Sequence, residues 1–250
     1  MSNVATGGRW LKTFHPAPDD APRLVCFPHA GGSAGWFSRL GAELAGEVRL
    51  SAVQYPGRLD RLRDGLVDDL CVLAELVSGA LDVEDGRPVS LFGHSMGAVV
   101  AFEVARRLRA ASVPVAHLFV SGRVAPHLRR DRDVHLLTDD GLVETMEHLG
   151  GVRPGSLRDA DLRALVLPVV RNDYRAIETY RCEQAPPLSC PITALTGDDD
   201  PITGVADARE WAVHTDAGFT LEVFPGGHFF PLQRWGSVAE VVRRGLRGTA

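Results

Sequence analysis

The segment covering residues 89–108 constrains the fold most, because a short apolar run passes through GHSMG (residues 93–97) directly into an amphipathic run. A serine between two glycines at such a junction predicts a sharp turn from a buried strand into a helix. The glycines let the strand and the helix approach closely, and the following helix directs its N-terminus at developing negative charge. We therefore expect Ser95 to be an exposed nucleophile at the edge of a sheet.

Short apolar runs alternate with amphipathic runs along most of the chain. The apolar runs end in turn residues and resemble buried parallel strands, whereas the amphipathic runs have helical spacing. This alternation predicts an α/β fold, a mostly parallel central sheet with helices on both faces. The predicted strands are Arg23–Pro28, Val48–Val53, Val89–Gly93, His117–Gly122, Pro191–Gly197 and Thr220–Gly226. The predicted helices outside the interval discussed next are Trp36–Ala45, Leu66–Leu81, Met96–Ala110, Ala206–Thr215 and Val238–Leu246.

One interval interrupts the alternation. Between residues 123 and 187 no strand pattern occurs, and helical patterns appear at Asp139–Leu149, Leu157–Leu167 and Val169–Arg181. Because this interval is too long for a simple connection, we expect a helical insertion within one domain covering residues 1–250. Some of its apolar residues could line a chamber, but for most of them we expect packing between the helices: Leu142, Met146, Leu149, Leu165 and Leu167.

Composition excludes several classes of function. The net charge of −5 and the lack of a basic run argue against nucleic-acid binding. No apolar run is long enough to cross a membrane, and residues 1–14 lack the apolar core of a secretory signal. The four cysteines have no metal-binding spacing. We expect a cytoplasmic protein, monomeric, without a metal or bound cofactor.

A serine nucleophile needs a histidine base and a carboxylate that orients the histidine. In a sheet of this architecture the expected chain order is serine, acid, histidine. Of the nine histidines, only His228 follows a late strand within a glycine-rich turn, in FPGGHFF (residues 224–230). We therefore assign the base to His228. His94 belongs to the turn itself, and the other histidines are expected on the surface or in packing roles.

The acid is expected in GDDDP (residues 197–201), where the strand before His228 ends. This loop offers three carboxylates, and we choose Asp200 because it lies at the crest of the loop before a proline. Asp198 and Asp199 are expected to cap or solvate the turn. The earlier loop VSGRVAP (residues 120–126) contains no carboxylate, which favours the later loop.

Acyl transfer also requires two amide donors for the oxyanion of the tetrahedral intermediate. One is expected to be the backbone N–H of Met96, next to the nucleophile. The second should come from the glycine-rich loop after the first buried strand, which reads FPHAGGSAGWF (residues 27–37). We assign it to Ala30, with Gly31 as the alternative, and expect His29 to hold the loop by a hydrogen bond.

Taken together, these motifs resemble the type II thioesterases, the stand-alone editing hydrolases that accompany polyketide synthases and nonribosomal peptide synthetases. The resemblance runs from about Phe27 to the C-terminal helix and rests most on the order of three motifs. They are PHAGG (residues 28–32), YPGR (residues 55–58) and GGHFF (residues 226–230). The resemblance implies an α/β-hydrolase fold, a helical lid over the active site, and a triad of Ser95, Asp200 and His228.

The resemblance also implies a substrate. The enzyme would hydrolyse stalled or aberrant acyl groups held as thioesters on the phosphopantetheine arm of an acyl or peptidyl carrier protein. The lid would shape and shield an acyl chamber. Arg58, in the YPGR motif, is interpreted as a structural anchor rather than a docking residue. Arginines and carboxylates are about equally frequent in the insertion, so charge alone does not locate a docking surface.

Other functions remain open from the sequence. A medium-chain fatty-acyl thioesterase or a general carboxylesterase would use the same triad. A chain-terminating thioesterase domain more often carries its acid after the strand before the lid, where this chain has none. A non-enzymatic receptor or scaffold on this fold usually lacks a member of the triad, and here all three residue types are present.

Overall fold

The computed structural model describes residues 9–83, 86–128 and 133–247. Their centre is a seven-stranded sheet. The strands are β1 (Leu11–Thr13), β2 (Arg23–Phe27), β3 (Arg49–Val53), β4 (Val89–His94), β5 (Val115–Ser121), β6 (Ile192–Gly197) and β7 (Phe219–Phe224). Their order in the sheet is β1-β3-β2-β4-β5-β6-β7. The first strand pairs antiparallel with β3, and the other neighbours pair in parallel. The prediction of a mostly parallel sheet is therefore confirmed.

The sequence pattern missed only the edge strand β1 among the described strands. Its three residues, Leu-Lys-Thr, show neither an apolar run nor a clear alternation. The strand exists because Leu11 pairs with Val53 and Thr13 with Ser51 across the ladder. Pairing with a neighbour, rather than local propensity, decides such a short element.

Seven α-helices are described, and most match the predicted positions. The helices are α1 (Ser38–Glu43), α2 (Leu70–Ser78), α3 (Met96–Ala110), α4 (Asp139–Leu149), α5 (Ala160–Thr179), α6 (Val205–Arg209) and α7 (Pro231–Arg247). Helix α3 has the predicted bounds, α2 begins four residues later than predicted, and α7 begins seven residues earlier. The segment after α6 continues as a 3₁₀ helix at Glu210–His214.

The two faces of the sheet are covered by separate apolar clusters, as the β2 strand illustrates. Val25 and Phe27 belong to one cluster, which includes apolar residues of α2 and α3. Leu24 and Cys26 belong to the other, which includes residues of α1 and α7. Because neighbouring side chains on a strand point to opposite faces, this division places helices on both sides. The buried strand β4 is the central strand of the sheet, and Ser95 directly follows its carboxyl end.

The interval predicted as an insertion contains α4 and α5, with short 3₁₀ turns before each. Two predicted helices, Leu157–Leu167 and Val169–Arg181, are instead one continuous helix, α5, and the separation was wrong. Pro168 lies inside it. A proline removes one intrahelical hydrogen bond, but Leu167, Val169 and Val170 are all buried around it. Tertiary packing therefore keeps the helix continuous where local rules predict a break.

The apolar residues of this interval divide between packing and exposure. Leu142 and Leu167 are buried in a small cluster of their own, with Met146 packed against it. Leu165 is 52% exposed. Leu149 lines a groove of about 820 Å³ between α4 and the loop after β6. Packing between helices thus accounts for the buried members of the set.

Some expectations concern residues that the structure does not describe. Residues 129–132 of the insertion and residues 1–8 of the N-terminal stretch lie outside the described ranges. Within those ranges, no helix combines the length and apolar character that crossing a membrane requires.

Candidate active site

The turn at Ser95 has the strained geometry that the GHSMG sequence predicts. Ser95 adopts φ 55° and ψ −118°, a conformation that residues with a side chain rarely take. A Cβ on Gly93 would lie 2.1 Å from the carbonyl oxygen of Gly97, and a Cβ on Gly97 would lie 2.0 Å from that of Phe27. Only glycine permits these approaches, which let α3 start directly beside the end of β2.

The structure brings together the three side chains assigned to a triad. Nε2 of His228 lies 3.0 Å from Oγ of Ser95. On the other side of the ring, Nδ1 of His228 lies 2.9 Å from Oδ2 of Asp200. The His228 and Asp200 side chains are buried, whereas Ser95 is partly exposed. This arrangement places the serine at the open end of an otherwise enclosed hydrogen-bond chain.

The loop after β6 distinguishes the three neighbouring carboxylates. Oδ1 of Asp200 accepts hydrogen bonds from the amides of Ile202 and Thr203, at 2.9 and 3.2 Å, which hold its other oxygen toward His228. Asp198 is exposed and accepts from the Gly226 amide at 2.9 Å, thereby tying the two loops together. Asp199 is exposed. Of the three carboxylates, only that of Asp200, the predicted acid, contacts the histidine.

Two further histidines lie near His228: the His94 ring centroid is 5.2 Å from that of His228, and the His29 ring centroid is 6.0 Å from that of His94. His94 is buried, and its Nδ1 lies 2.9 Å from Oγ of Ser121. Burial lowers the pKa of His94 well below its ordinary value and that of His29 to about 3, and the charge of protonated His228 lowers both further. Both rings therefore stay neutral near pH 7. Of these three rings, only that of His228 lies within hydrogen-bond distance of Oγ of Ser95.

The expectation that His29 holds its loop by a hydrogen bond is not met at Nδ1. This nitrogen is buried and has no hydrogen-bond partner among the described residues. The ring instead packs edge-on against Trp36 at 5.1 Å and Phe229 at 4.8 Å between centroids. His29 therefore contributes to the site by packing against aromatic rings.

The loop after β2 is held by a carboxylate that comes from the helical insertion. The amide of Gly31 donates a 2.7 Å hydrogen bond to Oδ2 of Asp173, on α5. Gly31 has φ 74°, and the Gly32 amide closes a turn on the carbonyl of His29 at 2.9 Å. The Gly31 amide, the alternative oxyanion donor, is thus already bound. Within the described part of the chain, the Ala30 amide donates no hydrogen bond.

Arg58 connects this loop to the YPGR segment and to α5. It pairs with Asp173 inside the protein and donates to the carbonyls of Gly32 and Pro56 at 3.2 and 2.7 Å. Both partners of the pair are buried, with 7% and 2% of their side chains exposed. Burial raises the pKa of Asp173, and the hydrogen bonds from Arg58 and Gly31 oppose this by stabilising the carboxylate. The arrangement agrees with an anchoring role for Arg58.

Gln54 completes the support of the loop. Its Oε1 accepts from the Ala34 amide at 3.1 Å, and its Nε2 donates to the Arg58 carbonyl at 3.2 Å. The sequence-based reasoning assigned no role to Gln54 or Asp173. Gln54 lies between the predicted strand Val48–Val53 and YPGR, and a polar residue directly after a buried strand could have indicated a supporting role. Asp173 had no comparable signal, because its partners lie far away along the chain.

The site presents a serine hydroxyl, a histidine ring and a carboxylate in one hydrogen-bond chain, which is the arrangement that acyl transfer to a serine uses. No group of three or more histidine, cysteine or acidic side chains able to hold a metal ion occurs among the described residues. Nothing in the geometry of Ser95, His228 and Asp200 calls for a further group to complete the hydrogen-bond chain.

Comparison with known proteins connects this geometry to a family. The model of the thioesterase domain family matches residues 22–246. The probable cadicidin biosynthesis thioesterase of Streptomyces griseus is 45% identical over 241 residues, which are 96% of this chain and 67% of that protein. Thioesterase PikA5 of Streptomyces venezuelae is 45% identical over 231 residues, which are 91% of this chain and 82% of that protein.

Solved structures give the same result. The type II thioesterase BorB from the borrelidin biosynthetic cluster is 44% identical and superposes with a TM-score of 0.88. The match covers 95% of this chain and 97% of that one. At this similarity the fold is that of the α/β-hydrolase thioesterases, as the sequence motifs predicted.

Proposed function

Because this chain belongs to the thioesterase domain family and is a thioester hydrolase, we propose that it is a stand-alone editing enzyme of polyketide or nonribosomal peptide biosynthesis. Its substrates are aberrant or stalled acyl groups on the phosphopantetheine thiol of a carrier protein. The observation that carries the proposal is the unbroken hydrogen-bond chain from Asp200 through His228 to Ser95. Relatives whose names refer to such pathways support the choice of substrate.

In the first half of the reaction, Ser95 Oγ attacks the thioester carbonyl carbon while His228 Nε2 takes the hydroxyl proton. The 3.0 Å separation of these atoms allows direct proton transfer. Asp200 keeps the Nδ1–H tautomer of His228 and stabilises the imidazolium that forms. The tetrahedral intermediate then collapses, the carbon–sulfur bond breaks, and the thiol leaves with the proton from His228.

In the second half, water attacks the acyl-serine ester while His228 removes a proton from it. Collapse of the second intermediate returns that proton to Ser95 Oγ and releases the carboxylic acid. In both halves, negative charge collects on the former carbonyl oxygen. We assign its stabilisation to the amides of Met96 and Ala30. The start of α3 at Met96 supports this, because a helix N-terminus favours negative charge.

The helical insertion supports recognition of a substrate that enters as a thin arm. Helix α5 packs against the loop after β2, where Val170 occupies the space that a Gly31 side chain would need. At the end of α4, Gly151 lies against Phe229, the neighbour of His228. Because these contacts cover the site on two sides, we expect the thioester to reach Ser95 on an extended pantetheine arm while the carrier stays outside.

The test compares the same acyl group on two thiols. Propionyl and longer acyl groups are presented on a holo carrier protein and as N-acetylcysteamine thioesters, and kcat/KM is measured for each. We expect a higher kcat/KM on the carrier for every chain, with a broad preference among acyl groups. Equal values on both thiols would contradict the editing role and favour a general acyl-thioesterase. Faster hydrolysis of oxygen esters than of thioesters would favour a carboxylesterase.

A further inference from the structure

We infer that Asp173 is a positioning residue for the oxyanion site, and that the helical insertion thereby completes the catalytic machinery of the hydrolase domain. This inference rests on the proposed function, because it presupposes that the amide of Ala30 binds the oxyanion. The observation behind it is one carboxylate oxygen, Oδ2 of Asp173, which receives both the Gly31 amide and the Arg58 guanidinium.

The first step concerns the direction of the backbone. The hydrogen bond from Gly31 to Asp173 fixes the plane of the peptide that joins Ala30 to Gly31. The bond from Gly32 to the His29 carbonyl closes the same turn from the other side. With both ends tied, the intervening Ala30 amide has one orientation. An oxyanion donor must be held in place before the reaction, since reorganisation during the reaction would cancel its benefit.

The second step concerns charge. An unpaired carboxylate close to the oxyanion site would oppose the negative charge that develops there. Arg58 pairs with Asp173 in the buried interior, so that the two charges cancel. Because Asp173 is paired with Arg58, its hydrogen bond from the Gly31 amide is charge-assisted and strong, yet the site gains no net negative charge. Arg58 is in turn held by the carbonyls of Gly32 and Pro56.

The third step separates this role from simple attachment of α5. The insertion has another attachment at the end of the same helix, where the Tyr180 hydroxyl donates to Oε1 of the buried Glu103 at 2.8 Å. Glu103 lies on α3, where its carboxylate contacts Arg106, Arg107 and Tyr180 and none of the residues that hold the loop after β2. Loss of the Tyr180 hydroxyl therefore weakens attachment without touching the loop after β2. It serves as the matched control.

The experiment uses the full chain and four measurements. They are kcat and KM for an N-acetylcysteamine thioester, the inhibition constant of an acyl trifluoromethyl ketone, and the dissociation constant of the matching thioether. The ketone adds to Ser95 and places an oxyanion in the site, whereas the thioether has no carbonyl oxygen. The variants are Asp173→Ala, Asp173→Asn and Tyr180→Phe.

We expect Asp173→Ala to lower kcat about 100-fold, the order of effect seen when one oxyanion donor is lost. The affinity for the ketone falls by the same factor, while KM and the thioether affinity change less than about threefold. Asp173→Asn retains an acceptor for the Gly31 amide, so its loss is smaller, about tenfold. This isosteric variant also supplies the answer if the alanine variant fails to fold. Tyr180→Phe leaves all four quantities within about threefold.

Three results would overturn the inference: undiminished ketone affinity in both Asp173 variants, equal weakening of ketone and thioether, or the same pattern in Tyr180→Phe. Failure of the proposed function looks different. In that case the wild-type enzyme itself would show no advantage for carrier-bound substrates, while the ratio of ketone to thioether affinity would still report on Asp173.

Discussion

Nε2 of His228 lies 3.0 Å from Oγ of Ser95, although 133 positions separate the two residues in the chain. The contact arises because β4 and β7 end at the same edge of one parallel sheet, where their loops meet. Gly122, at the end of the intervening β5, lies against His228 and against His94. Three strand ends therefore define the position of the histidine ring.

Replacement of Ser95 by alanine is expected to abolish thioester hydrolysis and to leave the fold intact. Ser95 contacts His228, and the buried carboxylate of Asp200 orients that ring. No other serine among the described residues has such a pair of partners. A fluorophosphonate probe should label the wild-type protein at Ser95 alone, as peptide mapping by mass spectrometry would show. Turnover near the wild-type rate in Ser95→Ala, or labelling at another residue, would remove Ser95 from the mechanism.

Asp200→Asn is expected to lower kcat by about 10³- to 10⁴-fold, because the amide no longer selects the reactive tautomer of His228. Asp198→Asn is the matched control from the same loop, since Asp198 binds the Gly226 amide and not the histidine. We expect its kcat within about threefold of the wild-type value. A severe loss in Asp198→Asn with a mild one in Asp200→Asn would reverse the assignment of the acid.

Gly122→Ala is expected to lower kcat at least about tenfold. Its Cβ would lie 2.8 Å from Cε1 of His94 and 3.3 Å from Cε1 of His228, so the base must move away from Ser95. Gly46→Ala is the control, because Gly46 has a similar positive φ but no atom within 4 Å of a Cβ. Both variants should lose about 1–2 kcal/mol of stability from backbone strain.

Thermal melting and steady-state kinetics on the two glycine variants separate these effects. If both enzymes melt lower and only Gly122→Ala loses activity, contact with the histidines is the cause. An equal loss of kcat in Gly46→Ala would show that general destabilisation, and not displacement of His228, reduces the rate.

The buried His117 is expected to make the protein less stable as the pH falls. Burial lowers its pKa to about 4, so that below about pH 6.5 the unfolded chain binds a proton that the folded protein excludes. Its contribution is complete above pH 6.5 and is lost as the pH decreases toward 4. His117→Gln keeps an amide to bond Oγ1 of Thr193, which His117 now contacts at 2.9 Å.

Denaturant unfolding of both proteins between pH 7 and pH 4.5 measures this contribution. The free energy of unfolding should decline with falling pH less steeply in His117→Gln, by up to about 1.4 kcal/mol per pH unit. Parallel curves for the two proteins would show that His117 binds its proton equally well in both states. Acidic groups common to both proteins cancel in this difference.

The sequence by itself determined the framework and predicted which side chains meet at its site. Alternating apolar and amphipathic runs predict the parallel sheet, because buried strands and helices have different periodicities. The turns around Ser95 and His228 could be located because glycine is required where backbone must approach backbone. Among three adjacent carboxylates, the position before a proline selected Asp200, which is the one that the structure places beside His228.

Only the tertiary structure decided which residues support that framework. Local rules place a break at Pro168, yet burial of its neighbours on α5 keeps the helix whole. They also give no reason to pair Asp173 with Arg58, since 115 positions separate them and the partner of the anchoring arginine carries no local pattern. The pair exists because folding brings α5 onto the loop after β2, where two buried charges are tolerated only together. The periodicity of the sequence predicts which side of a helix or strand is buried. Which residues pack against that side depends on the tertiary structure.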